Sequence, residues 1–276
     1  MAQLPVEIYP DVLFAESQIQ ASKTIPAVSI VLPVFNEGSE IASVISLALR
    51  KFESLLDSNF ELIVVDDGST DGTRTMLDRM KQDDRVKVVG YSSNTGKGNA
   101  LMFGFQFTTA DLVIFADGDM HASPNNFQEC LLALGNADIV VSSKRVPGAR
   151  ISASAKRNFL SLGFNLFVKM LLPVTVSDTQ AGFKAFRRKA LARILPLISV
   201  KKYAFDVELL VVARLLNLKI AELPAVVVLP NGFRKRHMLR MFVDLLGITY
   251  RLRLKHWYQD NIAKRKPSLY KPIMKW

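Results

Sequence analysis

From residue 27 to residue 142 the chain repeats one pattern: a short run of almost wholly apolar residues, a polar turn, then a stretch with helical periodicity. A strand that is apolar at nearly every position must be buried on both faces. Strands of that kind alternating with helices specify a parallel sheet covered by helices. The apolar runs fall at 27–33, 61–65, 86–91, 111–116 and 138–142, with helices expected at 40–57 and 70–82 and a third ending at Phe107. Further on, the pattern predicts helices near 159–172, 188–197 and 205–216 and a strand at 225–229. The fold class is therefore α/β, with a mainly parallel central sheet flanked by helices. A chain of 276 residues with 49% hydrophobic residues can bury the core such a fold needs, as one large domain or one domain with a small appendage.

Each polar turn directly follows a strand, where open α/β sheets form their ligand crevice. After the first strand comes Pro33-Val34-Phe35-Asn36-Glu37. Phe35 offers a ring to stack on a base and Glu37 a carboxylate for ribose hydroxyls; equally, Asn36 could cap a helix and Glu37 complement its dipole. After the second comes Asp66-Asp67-Gly68-Ser69, and after the fourth Asp117-Gly118-Asp119. Carboxylates one residue apart at a strand end can share a hard cation such as Mg2+ or Mn2+, and the glycine lets a ligand approach the backbone. The same Asp-Gly pair is also a common turn. Asn94-Thr95-Gly96-Lys97-Gly98 follows the third strand; it is glycine-rich and basic but lacks the full phosphate-loop spacing. No Gly-x-Gly-x-x-Gly follows the first strand, which argues against a dinucleotide-binding domain.

The net charge of +11 points to an anionic partner. A basic loop carries Lys144, Arg145, Arg150, Lys156 and Arg157, and 233–260 mixes Arg and Lys with Leu, Ile and Phe. A nucleic-acid binder would interleave its basic residues with stacking aromatics. Aliphatic interleaving suits an anionic lipid surface better, so no nucleic-acid partner is expected. No stretch offers the roughly 20 apolar residues of a spanning helix, and the N-terminus lacks a secretory signal pattern. Cys130, the single cysteine, excludes an intramolecular disulfide and reads as a packing residue in a reducing compartment. Residues 1–25 read as a flexible leader and 263–276 as a basic tail. Asp206 and Glu208, in a helical pattern, read as members of structural ion pairs.

The order of these motifs resembles the inverting family-two glycosyltransferases of the glycosyltransferase-A fold. The carriers are 28–33 with Asn36-Glu37, the string 64–73 (Val-Val-Asp-Asp-Gly-Ser-Thr-Asp-Gly-Thr), Asn94-x-Gly96-Lys97-Gly98, and Asp117-x-Asp119. Asp178-Thr179-Gln180-Ala181-Gly182-Phe183-Lys184 and Ala204-Phe205-Asp206-Val207-Glu208 narrow it to dolichyl-phosphate (polyprenyl-phosphate) hexosyltransferases, closer to the glucosyl than the mannosyl branch. The likeness runs from about 28 to 248 and implies a catalytic domain over 26–232, followed by an amphipathic membrane-surface segment at 233–262.

The resemblance also implies roles. Pro33, Phe35, Glu37 and Asp66 would line the nucleoside pocket, with Lys97 and Gly118 in the same donor site. Asp117 and Asp119 would hold Mg2+ or Mn2+ against the donor diphosphate, with Arg234 on the donor phosphates. Lys144 or Arg145, with Arg157 and Ser161, would hold the acceptor phosphate. Asp178 would be a further catalytic-site carboxylate, orienting a sugar or a basic residue. The chain departs from the family pattern at Ala181, often Ser or Cys, and at Gly232-Phe233-Arg234, where the family has Gly-Ser-Lys. UDP-glucose, or GDP-mannose, is the implied donor and a polyprenyl phosphate the acceptor, at the cytoplasmic face of a membrane. A phosphate monoester has a second pKa of about 6, so it is already an oxyanion nucleophile at neutral pH. A glycan or soluble acceptor would instead need a base among Asp178, Asp206 and Glu208.

Overall fold

A computed structural model describes residues 27–56, 59–80, 83–117, 122–124, 127–152, 154–202, 204–228 and 235–264. The chain divides into two compact units, Met1–Met120 and His121–Trp276.

The first unit contains β1 (Val28–Val34), α1 (Ile41–Leu56), β2 (Phe60–Asp67), α2 (Thr73–Arg79), β3 (Val86–Tyr91), α3 (Lys97–Phe105) and β4 (Leu112–Phe115). Its strands lie in the order β3-β2-β1-β4, and each of these pairs is parallel. Every residue of β2 is buried, the apolar run 62–65 as a two-sided strand requires and Glu61, Asp66 and Asp67 along with it. Helix α1 buries Ile41, Ile45, Ala48 and Phe52, a single stripe at helical spacing. Helix α3 lies close on the sheet: a Cβ at Gly104 would stand 2.5 Å from Val31 Cγ1 and 2.6 Å from Val65 Cγ2. Pro33 sits inside β1, yet β4 pairs with β1 only as far as Val31, so the proline lies where that edge is no longer paired. Helix α2 begins at Thr73, later than the expected residue 70, because Gly72 has φ +89° and residues 68–72 are used as a loop.

The second unit contains β5 (Ala122–Pro124), α4 (Phe127–Ala133), β6 (Ile139–Ser143), β7 (Arg150–Ser152), α5 (Ala155–Leu171), β8 (Lys184–Arg187), α6 (Arg188–Ile194), α7 (Phe205–Leu215), β9 (Ile220–Val228), α8 (Lys235–Arg253) and α9 (Trp257–Lys264). Strand β9 runs parallel to β6 and β7 and antiparallel to β5, and β8 is antiparallel to β6. Strands β5, β7 and β8 have only three or four residues, too few to show a period in sequence. Strand β9 starts at Ile220, ahead of the expected 225, because it continues through Pro224. That proline pairs with Ser143 at the end of β6, and the next residues pair with β5 and β7. The interruption thus falls where β9 changes neighbours.

The described residues of the segment 233–262 form α8 and most of α9, and one face of each belongs to the second unit's core. Met241, Leu245, Ile248 and Leu252 form the buried face of α8, and Tyr258 of α9 is completely buried. The break comes at His256, with φ +47°, where the N–H groups of Leu254 and Lys255 both reach the Tyr250 carbonyl. Glu208 explains the attachment. Its carboxylate, buried in α7, accepts the Ser199 and Val200 N–H groups at 2.9 and 2.6 Å, the Arg251 guanidinium at 3.1 Å, and the Tyr258 hydroxyl. Among the described residues, no helix is long and apolar enough to cross a membrane.

Candidate functional site

In the first unit, the loops after β1 and β2 are stitched together. Asn36 adopts φ +54°, a conformation asparagine tolerates better than most residues. Its N–H donates to Ser69 Oγ at 3.0 Å, and its Oδ1 accepts the Thr70 N–H at 2.8 Å. Gly38 N–H donates to Thr73 Oγ1 at 2.8 Å. Asn36 therefore caps no helix: the 3-10 turn Gly38–Glu40 starts from Glu37 without a side-chain cap, and the asparagine is spent on the clasp. The clasp holds half-buried Pro33 and Glu37 at the strand end and leaves Phe35 42% exposed.

The adjacent Asp66 and Asp67 have different tasks. Asp67 is saturated: Oδ1 accepts the Tyr91 hydroxyl at 2.7 Å and the Thr95 N–H at 2.9 Å, and Oδ2 accepts Asn94 Nδ2 and the Gly96 N–H, both at 3.0 Å. It shapes the loop after β3. Burial first, then the Asp67 charge, raise the Tyr91 phenol above its ordinary pKa, so it stays a donor. Gly68 (φ +71°) allows this contact, since a Cβ there would lie 2.5 Å from the Ser93 carbonyl carbon. Asp66 has no exposed surface; its Oδ1 accepts the Ser69 N–H at 2.9 Å, and its Oδ2 is buried with no partner. A buried carboxylate oxygen without a donor is costly, and a ligand N–H or hydroxyl would satisfy it.

At the end of β4, Asp117 Oδ1 pairs with the ammonium of Lys97 at the start of α3. The sequence placed both at the donor, and the fold brings them together. Gly118, Asp119 and Arg234, the other donor-site candidates, lie outside the described residues. Among the described residues no three His, Cys, Asp or Glu side chains cluster as a metal site. Asp117 is nevertheless suited to a Mg2+ or Mn2+ ion that draws most of its ligands from a substrate diphosphate. Its carboxylate is partly exposed, and Lys97 engages one oxygen.

In the second unit, Lys144 just beyond β6 meets Asp178, its Nζ 2.9 and 3.0 Å from the two carboxylate oxygens. Asp178 is 3% exposed and also accepts the Gln180 N–H at 3.2 Å, so it orients a basic residue and shapes its own turn. The turn is held from both α5 and β9. Asn165 of α5 donates to the Ser177 carbonyl at 2.9 Å and accepts from Thr179 Oγ1 at 3.0 Å, and Glu222 of β9 accepts the Ser177 N–H at 2.8 Å. Lys184, 1% exposed, donates to the Ala181 carbonyl and to Asp206 at 2.8 Å.

Arg145 donates to Ser161 Oγ at 3.1 Å, and its Nε is buried without a partner. These residues, with Lys144, Ile151, Asn158, Phe159 and Leu162, line a pocket of about 240 Å³. Its lining combines two cations and a hydroxyl with apolar side chains. Arg157, one turn before Ser161 on α5, is not among the residues that line it. Asp67, Asn165, Lys184 and Glu222 are the site-building residues that sequence reasoning missed. Only Asp67 and Lys184 lie within motif strings, and nothing local marks Asn165 or Glu222 as loop anchors.

The fold is the glycosyltransferase-A α/β fold. Glucosyl-3-phosphoglycerate synthase of Mycobacterium tuberculosis, solved with Mn2+, UDP and glucosyl-3-phosphoglycerate, shares it with a TM-score of 0.58 at 21% identity, 84% of each chain being covered. The family model for glycosyl transferase family 2 matches residues 29–195, and the chain belongs to that family. Glycosyltransferase AglD of Haloferax volcanii is 30% identical over 86% of this chain, which spans only 38% of AglD's length. The dolichyl-phosphate beta-glucosyltransferase ALG5C of Trichomonas vaginalis is 28% identical over 82% of this chain and 72% of its own.

Proposed function

We propose that this glycosyltransferase moves glucose from UDP-glucose to a dolichyl or other polyprenyl phosphate, with inversion, giving a lipid-phosphate-linked sugar on the cytoplasmic face of a membrane. GDP-mannose is the second candidate donor. The observation that carries the reading is the pocket of Lys144, Arg145 and Ser161 walled by Ile151, Phe159 and Leu162. Cationic and hydroxyl donors fit a phosphate, and an apolar wall fits the hydrocarbon attached to it. Its likeness to dolichyl-phosphate beta-glucosyltransferases supports the same acceptor and donor.

In this reading Asp66 Oδ2 accepts a donor N–H or hydroxyl from the nucleoside, and Phe35 covers the base. Asp117, with Asp119, would hold Mg2+ or Mn2+, which when bound offsets the charge of the departing diphosphate. The acceptor phosphate oxygen attacks the anomeric carbon, a new C–O–P link forms, and the bond to UDP breaks. Donor and acceptor are both anions, so the enzyme's main work is to neutralise and position them. Lys144, aimed by Asp178, and Arg145, with its unpaired Nε, supply that at the acceptor. No strong base is needed. The carboxylates a hydroxyl acceptor would require are already engaged: Asp178 with Lys144, Asp206 with Lys184, Glu208 with Arg251 and Tyr258. The buried Cys130 thiol, whose pKa burial pushes up to about 12, takes no part.

The test is a panel of nucleotide sugars with a short polyprenyl phosphate and added Mg2+ or Mn2+, read by release of nucleoside diphosphate. UDP release that requires both UDP-glucose and the prenyl phosphate is expected. Transfer to an uncharged sugar, with none to the phosphate, would overturn the assignment. Asp119→Asn is expected to abolish transfer with the fold intact, and Arg145→Ala, in the pocket, to damage acceptor use.

A further inference from the structure

We propose that Lys184 and Asp206 are a positioning pair for the acceptor cation: they fix the turn that carries Asp178, and Asp178 in turn aims Lys144 at the incoming phosphate. The inference rests on the prenyl-phosphate reading and adds two residues that serve it from a distance. Neither lines the pocket of Lys144, Arg145 and Ser161.

Stability alone does not account for the pair. The Lys184 side chain is 2% exposed and that of Asp206 17%. Taking an ammonium out of water offsets most of what one carboxylate returns, and well-packed apolar residues of similar volume often stabilise a fold as well or better. What apolar residues lack is direction. Lys184 Nζ donates to Asp206 Oδ1 at 2.8 Å and also to the Ala181 carbonyl. It therefore ties the backbone of the turn to α7, at a residue whose own methyl group can form no hydrogen bond.

That tie completes the support of Asp178. On the near side, Asn165 of α5 and Glu222 of β9 hold the backbone of Ser177 and Thr179. On the far side Lys184 holds Ala181, three residues beyond Asp178, so the carboxylate stands between two fixed points. Both its oxygens then meet Lys144 Nζ, at 2.9 and 3.0 Å, and Lys144 lines the pocket. The far anchor is itself fixed. Asp206 lies in the first turn of α7, where a carboxylate suits the helix dipole. Two residues on, Glu208 accepts the Ser199 and Val200 N–H groups, the Arg251 guanidinium and the Tyr258 hydroxyl. The position of α7 thus passes through Asp206, Lys184 and Ala181 to Asp178. A shift along that line moves the cation the acceptor phosphate meets, and small misplacements of such groups cost rate steeply.

The test compares the full-length wild type with Lys184→Met combined with Asp206→Leu, which removes both charges together, and with Asp206→Asn, which keeps the shape of the partly exposed partner. In the double variant, kcat/KM for a short prenyl phosphate should fall about tenfold, the worth of one hydrogen bond to a charged group, while the KM for UDP-glucose stays as in wild type. Asp206→Asn should shift the same quantity in the same direction by less, and it carries every comparison if circular dichroism shows the double variant unfolded. In a Lys144→Met background the double change should cost nothing further, because the cation it aims is gone. A packing role alone gives additive losses and affects both substrates. Amide hydrogen exchange reads the anchoring with no acceptor present: residues 178–182 should exchange faster in both variants, and the middle of α7 should not. Unchanged acceptor use, losses that add to those of Lys144→Met, or an equal rise in the KM for UDP-glucose would overturn the proposal. A wild type that turns over no prenyl phosphate would remove the acceptor reading and the role of Lys144 with it. Faster exchange at 178–182 would then leave the anchoring alone.

Discussion

Lys184 Nζ and Asp206 Oδ1, 2.8 Å apart, join the turn that carries Asp178 to the first turn of α7, and the lysine is almost completely buried. The pair links the two downstream sequence strings that narrow the family resemblance.

Removing one partner of a buried pair leaves an uncompensated charge. Lys184→Met should therefore cost about 3–5 kcal/mol in urea denaturation, whereas Lys184→Met combined with Asp206→Leu should recover much of that loss. A double variant no more stable than the single would mean the pair adds nothing beyond packing.

Asp66 and Asp67 should separate binding from stability. Asp67→Asn turns an amide against several inward-pointing donors and should cost about 1–3 kcal/mol while loosening the loop at 94–96. Asp66→Asn, at an oxygen with no protein partner, should leave the melting temperature nearly unchanged and weaken UDP binding in calorimetry. Equal effects of the two on UDP affinity would contradict this division.

Under the proposed metal assignment, Lys97 and Mn2+ would compete for the Asp117 carboxylate. Lys97→Met should tighten Mn2+ binding to the donor-free protein and raise the KM for the nucleotide sugar. Calorimetric titration with Mn2+ alone reads the first effect and initial rates the second.

Glu61 supplies a pH dependence. Burial pushes its pKa up, but hydrogen bonds from Lys87 (2.6 Å), Ser29 (2.5 Å) and the Thr109 N–H (2.6 Å) outweigh that and hold it below the ordinary carboxylate value. A depressed native pKa means its stabilisation is full above the unfolded value and is lost as pH falls through the native one. Stability should thus fall below about pH 4.5, and Glu61→Gln should flatten that fall while lowering stability near neutrality. Denaturant midpoints across the acid range measure both.

The parallel strands of the first unit were legible because burial on both faces demands continuous apolar runs, and the motifs were legible because they end those runs. Asp66, Asp117, Lys97, Lys144, Arg145, Ser161 and Asp178 were all proposed as site candidates from the sequence. The tertiary structure decided which of them meet. The pairings of Lys97 with Asp117 and of Lys144 with Asp178 span 20 and 34 residues, and no local periodicity encodes them. It also decided that Asp67 shapes a loop while its neighbour keeps an oxygen free, because successive strand side chains point to opposite faces. Residues 233–262 show the same division: their charge and amphipathic pattern were visible in sequence, but which apolar stripe is core and which is exposed depends on Glu208, far along the chain, fastening Arg251 and Tyr258.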